Sequence, residues 1–152
     1  MKSHTWRRLS ARVVFCATVL LIGSGLAHGQ EKHVIPGPKG LPFSDGIAVG
    51  NTLYIAGQQG TGKDGKLAPG GIGPETEATL RNVEKVVKEA GFELKDIVAV
   101  TVYLSDIKEF SEMNKAYKSI MPDPKPTRAT VQVSGMVNDA RVEISAIAVK
   151  QK

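Results

Sequence analysis

Residues 97–104 read Ile97-Val98-Ala99-Val100-Thr101-Val102-Tyr103-Leu104. A short run of β-branched and apolar side chains that serves both parities is the pattern of a central strand buried on both faces. On its N-terminal side, Leu80, Val83, Val87 and Ala90 recur at helical spacing. Pro74 suits a first helical position, Glu75 and Glu77 sit at the positive end of the helix dipole, and Gly91 closes the helix. On its C-terminal side, Asp106 with Glu109 three residues on suggests a capping-box variant. Ile107, Phe110, Met113, Tyr117 and Ile120 give that second helix an apolar stripe, and Pro122, Pro124 and Pro126 end it.

Farther out, residues 47–49 and 53–56 read as two short strands joined by the turn Gly50-Asn51. Residues 30–44, with Pro36, Pro38 and Pro42, form an extended lead-in, and residues 57–73 a glycine-rich loop. Residues 127–134 and 141–150 supply two closing strands. The predicted order is ββαβαββ, an α+β fold with a mixed sheet and both helices on one face.

The chain has 152 residues, a single domain's worth, and carries 20 Lys and Arg against 15 Asp and Glu. The excess is local. Lys2, Arg7, Arg8 and Arg12 precede any acid, the first being Glu31. An apolar run at residues 13–26 follows, shorter than the roughly 20 residues that span a bilayer. Ala27-His28-Gly29 then offers small residues where a signal peptidase reads. This is the layout of a cleaved secretory signal at residues 1–29, with an uncleaved membrane anchor as the alternative, and the domain at residues 30–152 is expected to be exported, periplasmic or secreted. No stable membrane insertion is expected after cleavage. The domain keeps 16 cations and 15 anions, close to neutral, which argues against nucleic acid as a partner.

Cleavage also removes Cys16, Trp6, His4 and His28. The remaining chain has no cysteine and only His33, so disulfides, cysteine nucleophiles and Cys/His zinc sites are excluded. Carboxylates, Arg, Lys, Tyr, Thr, Ser and backbone amides are left for chemistry. The run Gly57-Gln58-Gln59-Gly60-Thr61-Gly62-Lys63 approaches a phosphate-binding loop, but Asp64 replaces the hydroxyl residue and the following glycines and proline cannot open a helix. Tyr117 lies on the apolar stripe and is assigned to core packing rather than to base stacking.

Strand parity singles out one constellation. In the last two strands Ala129, Val131 and Val133, with Val142, Ile144, Ala146 and Ala148, form an apolar set expected to meet the helices. Arg128, Thr130, Glu143 and Ser145 are then expected together on the far face, with Arg128 and Glu143 on adjacent strands. A guanidinium can grip a carboxylate ligand with two parallel hydrogen bonds. A carboxylate beside it can position or deprotonate water; the alternative from parity alone is a surface ion pair on a solvated sheet face. Apolar Ala99, Tyr103, Ile147 and Val149 share that face, so a second subunit is expected to cover it.

The stretch Pro126-Thr127-Arg128-Ala129-Thr130-Val131-Gln132-Val133-Ser134-Gly135-Met136, followed after five residues by Val142-Glu143-Ile144, resembles the C-terminal signature of the RidA/YjgF family of reactive-intermediate deaminases. The likeness extends to Gly50-Asn51, Ala56-Gly57-Gln58, the helix at residues 79–91, and residues 96–104 and 110–117. It implies a chorismate-mutase-like fold and a homotrimer with ligand clefts between subunits. It further implies hydrolysis of 2-imino or enamine acids, such as 2-iminopropanoate, to 2-oxo acids and ammonia without metal or organic cofactor. By position Arg128 matches the carboxylate-binding arginine, Glu143 the acid beside the attacking water, Gly57 a backbone contact and Asn114 a helix residue near the ligand. The chain departs from the family pattern at Phe43, where Tyr is frequent, at Ala56, where Ser is frequent, and at Thr130, where Cys is frequent. Phe43 and Thr130 therefore line the implied site with altered chemistry. Two alternatives are a non-catalytic binding module for small 2-oxo acids and an endoribonuclease or translation inhibitor, a label the family also carries.

Mass measurement on protein from a native envelope fraction is expected to give a chain starting near Gln30. A mature species still carrying residues 1–29 would contradict the signal reading.

Overall fold

The structure, a computed structural model, describes residues 30–151; the leader proposed at residues 1–29 lies outside them. Its strands are β1 (Lys32–Pro36), β2 (Ser44–Val49), β3 (Thr52–Gln59), β4 (Ile97–Leu104), β5 (Thr127–Gln132) and β6 (Val142–Val149). Helix α1 (Ile72–Glu89) lies between β3 and β4, and α2 (Phe110–Ile120) between β4 and β5. The strands form one mixed six-stranded sheet in the order β1-β2-β3-β6-β4-β5, in which only β4 and β5 run parallel. Both helices pack on one face of it, as expected. No helix among the described residues is long and apolar enough to cross a membrane.

The core is a single layer between that face and the helices. Leu53, Val102, Leu104, Val142 and Ile144 from the sheet meet Leu80 and Val87 of α1 and Met113 of α2, all fully buried. Burying such side chains contributes about 1.5–3 kcal/mol each. Helix α1 ends as its glycine foretold. Gly91 adopts φ 77°, its N–H donates to the Lys88 carbonyl at 2.9 Å, and the Phe92 N–H donates to the Val87 carbonyl at 2.8 Å. These paired bonds are a Schellman closure.

Several expectations are revised. The lead-in contains a strand: β1 pairs antiparallel with β2 and buries Ile35. Its polar pattern and terminal Pro36 concealed it, since an edge strand buries little and tolerates proline at its end. Strand β3 runs through Gly57 to Gln59, so the glycine-rich loop starts only at Gly60. Strand β4 is central, but only Ile97, Val100, Val102 and Leu104 are buried; Ala99, Thr101 and Tyr103 are half-buried on the open face. Helix α1 starts at Ile72, two residues before Pro74. Asp106 caps a short 3-10 turn, accepting from the Lys108 N–H at 2.9 Å, while Glu109 reaches Arg141 and closes no capping box. Ile107 sits in that turn and is exposed, as is Phe110.

The largest revision concerns the two closing strands. They are not neighbours: β4 lies between β6 and β5. The 120–127 connection carries the chain from α2 to a parallel edge strand beside β4, and β6 then returns to fill the gap between β3 and β4.

The Schellman glycine gives a clean stability test. A methyl at Gly91 meets only the end of Lys150, at 3.9 Å, so strain is confined to the backbone. Gly91→Ala is expected to cost about 1–2 kcal/mol in chemical denaturation with an unchanged m-value; no loss would argue against the left-handed closure.

Candidate functional site

Register across the sheet decides which way each candidate side chain points. Arg128 pairs with Val100, and Thr130 with Val102, both buried under the helices. Arg128 and Thr130 therefore project to the helix side. Glu143 pairs with Tyr103 on one side and Gln59 on the other, and it alternates with the buried Val142 and Ile144, so it projects to the open face. The two residues expected on one face of adjacent strands lie on opposite faces, separated by β4. Parity along each strand was read correctly. The face was not, because on β5 the apolar Ala129 and Val131 are the exposed pair and the arginine is the half-buried residue. An arginine stem with a partner ring can occupy an inner position.

That partner is α2. The Arg128 guanidinium carbon lies 4.6 Å from the Tyr117 ring centre and 5.8 Å from that of Phe110. The Arg128 Nη2 donates to Asn114 Oδ1 at 2.6 Å. Stacking and hydrogen bonding fix the plane of the guanidinium and leave its remaining donors for a ligand. Asn114, matched by the family likeness to a helix residue near the ligand, is the hydrogen-bond partner of Arg128 here. Phe110, Asn114 and Tyr117 reach one guanidinium because residues three and four apart share a helix face.

A groove of about 480 Å³ opens here, lined by Asn114, Tyr117, Lys118, Lys125, Pro126 and Arg128. Three of the six are cationic, although Lys125 is partly offset by Asp123 at 3.3 Å. Such a groove attracts a small anion. The Tyr117 hydroxyl and Thr130 Oγ1 are buried with no hydrogen-bond partner in the protein. Burial raises the Tyr117 phenol above its ordinary range, opposed by the nearby Arg128 charge, so it is a neutral donor at physiological pH. Tyr117, assigned to core packing from sequence, is both buried and part of the arginine's seat. The signal that could have found it is its position three residues after Asn114.

The second group lies on the open face. Between Ile55 and Gln58 the pairing of β3 with β6 shifts, and this bulge carries Ala56 and Gly57. The Glu143 carboxylate lies against Gly57, in the space a Cβ would take. Glu143 Oε2 accepts from Gln59 Nε2 at 2.9 Å. Gln59 falls within residues read from sequence as loop, and its part in this group was missed. Phe43 sits just before β2, half-exposed; β2 lies far along the sheet order from β5 and pairs directly with the bulged β3. Around Glu143 the open face shows Tyr54, Val131 and Ile147, exposed by 53%, 44% and 36%.

Two groups thus stand apart: a cationic groove around Arg128 at the sheet edge, and a carboxylate beside a glycine bulge on the other face. A family of proteins with this sheet also matches the sequence. The family model described as Endoribonuclease L-PSP covers residues 37–150. The chain belongs to this family, the RidA/YjgF family. A protein of Bos taurus named 2-iminobutanoate/2-iminopropanoate deaminase is 40% identical over 110 residues, covering 72% of this chain and 80% of its own. A RutC family protein of Pyrococcus horikoshii is 40% identical over 117 residues, covering 76% of this chain and 92% of its own. Among solved structures, RidA from an Antarctic Psychrobacter superposes with a TM-score of 0.71 at 30% identity, covering 80% of this chain and 98% of its own. Escherichia coli TdcF with bound serine does so with 0.71 at 31%, covering 80% and 98%.

The glycine bulge can be tested directly. Gly57→Ala places a methyl where the Glu143 carboxylate rests, and the carboxylate is the part that can move. A crystal structure of the variant is expected to show Glu143 turned away from the bulge with the sheet intact; an unmoved carboxylate would mean that the space beside Gly57 does not set its position.

Proposed function

We propose that the protein hydrolyses 2-imino acids and their enamine tautomers to 2-oxo acids and ammonia, at a site completed between subunits of a homotrimer. The observation that carries this reading is the Arg128 seat, stacked on Tyr117 and bonded to Asn114. Relatives at about 40% identity named 2-iminobutanoate/2-iminopropanoate deaminase support the reaction class.

In this scheme Arg128 binds the substrate carboxylate through its free donors and holds the C=N carbon at a fixed distance. Glu143 of a neighbouring protomer accepts a proton from water as the water oxygen bonds to that carbon. The imine nitrogen gains a proton, giving a tetrahedral 2-amino-2-hydroxy acid. The hydroxyl proton then passes to the amine nitrogen, the C–N bond breaks with its electron pair leaving on ammonia, and the 2-oxo group forms. One water is consumed, no electrons leave the substrate, and the sequence draws on no organic cofactor. A cross-subunit site fits the projection of Arg128 and Glu143 from opposite faces, and the exposed Tyr54, Val131 and Ile147 suit burial against another copy. Export from the cytoplasm belongs to the same proposal, with an amino-acid oxidase or dehydrogenase as the class of enzyme that would supply an imine there.

A second reading has its own support. Phe43 and Ala56 lack the hydroxyls frequent in the family's deaminases, and loss of a proton-transfer group costs roughly 10²-fold or more in rate. A binding module for small 2-oxo acids would keep the Arg128 seat and dispense with turnover. An endoribonuclease role is less favoured, because the domain at residues 30–152 is nearly neutral.

The discriminating assay generates 2-iminopropanoate with an amino-acid oxidase and traps it with semicarbazide. The protein is expected to suppress the trapped product. Arg128→Ala and Arg128→Lys are both expected to weaken pyruvate binding at least tenfold, since a charge-assisted hydrogen bond is worth about 1.5–3 kcal/mol and lysine lacks the planar fork. Glu143→Gln is expected to bind pyruvate like the parent and to lose turnover. Parent protein that binds pyruvate without suppressing the trap would replace the enzyme with the binding module.

A further inference from the structure

We propose that Gln59 is a positioning residue for Glu143, holding Oε2 and leaving Oε1 as the oxygen that receives the proton from water. The inference rests on the deaminase reading for its chemistry, while its geometry stands apart from it.

Gln59 and Glu143 are direct cross-strand partners of β3 and β6, so their side chains leave the sheet on the same face. Gln59 Nε2 donates to Glu143 Oε2 at 2.9 Å and to the Val137 carbonyl at 3.1 Å. Gln59 Oε1 accepts from Asn138 Nδ2 at 3.4 Å. Its own carbonyl accepts from Asn82 Nδ2 of α1 at 2.8 Å, and the same amide donates to the Thr61 carbonyl at 2.9 Å. The residue is therefore tied at its backbone by α1 and at its side chain by the turn at Val137–Asp139. That turn is itself sharply set, with Asn138 and Asp139 at φ 61° and 54°. A half-exposed glutamine ordinarily samples several rotamers, and ordering one costs entropy. Here the ordering is supplied by hydrogen bonds whose one charged partner, among the described residues, is Glu143.

The two carboxylate oxygens are thereby made unequal. Oε2 is occupied by the amide. Oε1 lies against the Gly57 backbone and, among the described residues, receives no hydrogen bond. The bulge that puts Gly57 there and the register that puts Gln59 opposite Glu143 belong to one irregularity in β3, so clamp and opening are built together.

The test uses Gln59→Met, which keeps length and bulk but removes the donor, and Gln59→Glu, which turns the donor into a repelling acceptor. In the trapping assay Gln59→Met is expected to lower kcat about ten- to hundredfold, the scale of a misplaced catalytic group, while KM and pyruvate affinity stay at parent values. Gln59→Glu is expected to lose more. Unchanged kcat in Gln59→Met, or a parallel loss of pyruvate affinity and thermal stability, would overturn the positioning role. Crystal structures of the parent and Gln59→Met give a readout that does not need turnover. Glu143 is expected in one conformation in the parent, and turned or split in the variant; an unmoved Glu143 overturns the inference. Absence of turnover in the parent with Glu143 released in Gln59→Met would instead sink the deaminase reading and leave the clamp standing.

Discussion

Strand β6 is bonded on both edges, to β3 and to β4, and this double pairing governs where every functional group lies. Its inward residues Val142, Ile144, Ala146 and Ala148 are buried against the helices, and its outward residues include Glu143 and Ser145. Because β6 fills the middle of the sheet, β5 is pushed to the edge, where one flank is open and α2 can reach across it. Arg128 uses that edge. Its guanidinium sits on the Tyr117 ring and turns toward a cationic groove, which a residue in the middle of the sheet could not do. The carboxylate and the arginine are thus placed by the same topological choice, and it sets them on opposite faces.

The two groups differ in how they are held. On the helix side the Arg128 guanidinium is held by a ring and an amide, and two buried hydroxyls, of Tyr117 and Thr130, lack partners among the described residues. An unpartnered buried hydroxyl costs about 1–3 kcal/mol, a burden that a bound ligand or water can relieve. On the open face the carboxylate is held by Gln59 beside a glycine that gives it room. Neither half contains both an anion seat and a base, so the proposed hydrolysis depends on a second copy bringing its Glu143 to the first copy's Arg128. The exposed apolar residues around Glu143 give that approach a driving force.

Much of this was legible in the sequence. The helical periods of α1 and α2, the central placement of β4, the alternation along β6 and the family likeness all survive in the structure, because each depends on local pattern. What the sequence hid is non-local. No pattern in residues 127–150 says that β4 passes between β5 and β6, and the face assigned to Arg128 followed from treating those strands as a hairpin. Hydrophobicity pointed the wrong way on β5, since an edge strand can expose Val131 and seat an arginine stem inward. Gln59 was obscured by the glycines around it, and Tyr117 by a stripe that serves the core and the site at once. Asn114 was named through resemblance, not from spacing, and its bond to Arg128 is visible only in the structure.

The central claim is that one protomer cannot complete the site, and subunit complementation tests it most directly. Arg128→Ala and Glu143→Gln proteins are each prepared, mixed in equal amounts, unfolded and refolded together, and assayed by semicarbazide trapping. If the site joins Arg128 of one copy to Glu143 of another, random reassembly into a closed ring regenerates about a quarter of the parent's sites, so the mixture regains activity that neither variant has. A mixture that co-assembles and stays as inactive as its components, beside an active parent refolded the same way, would contradict the account.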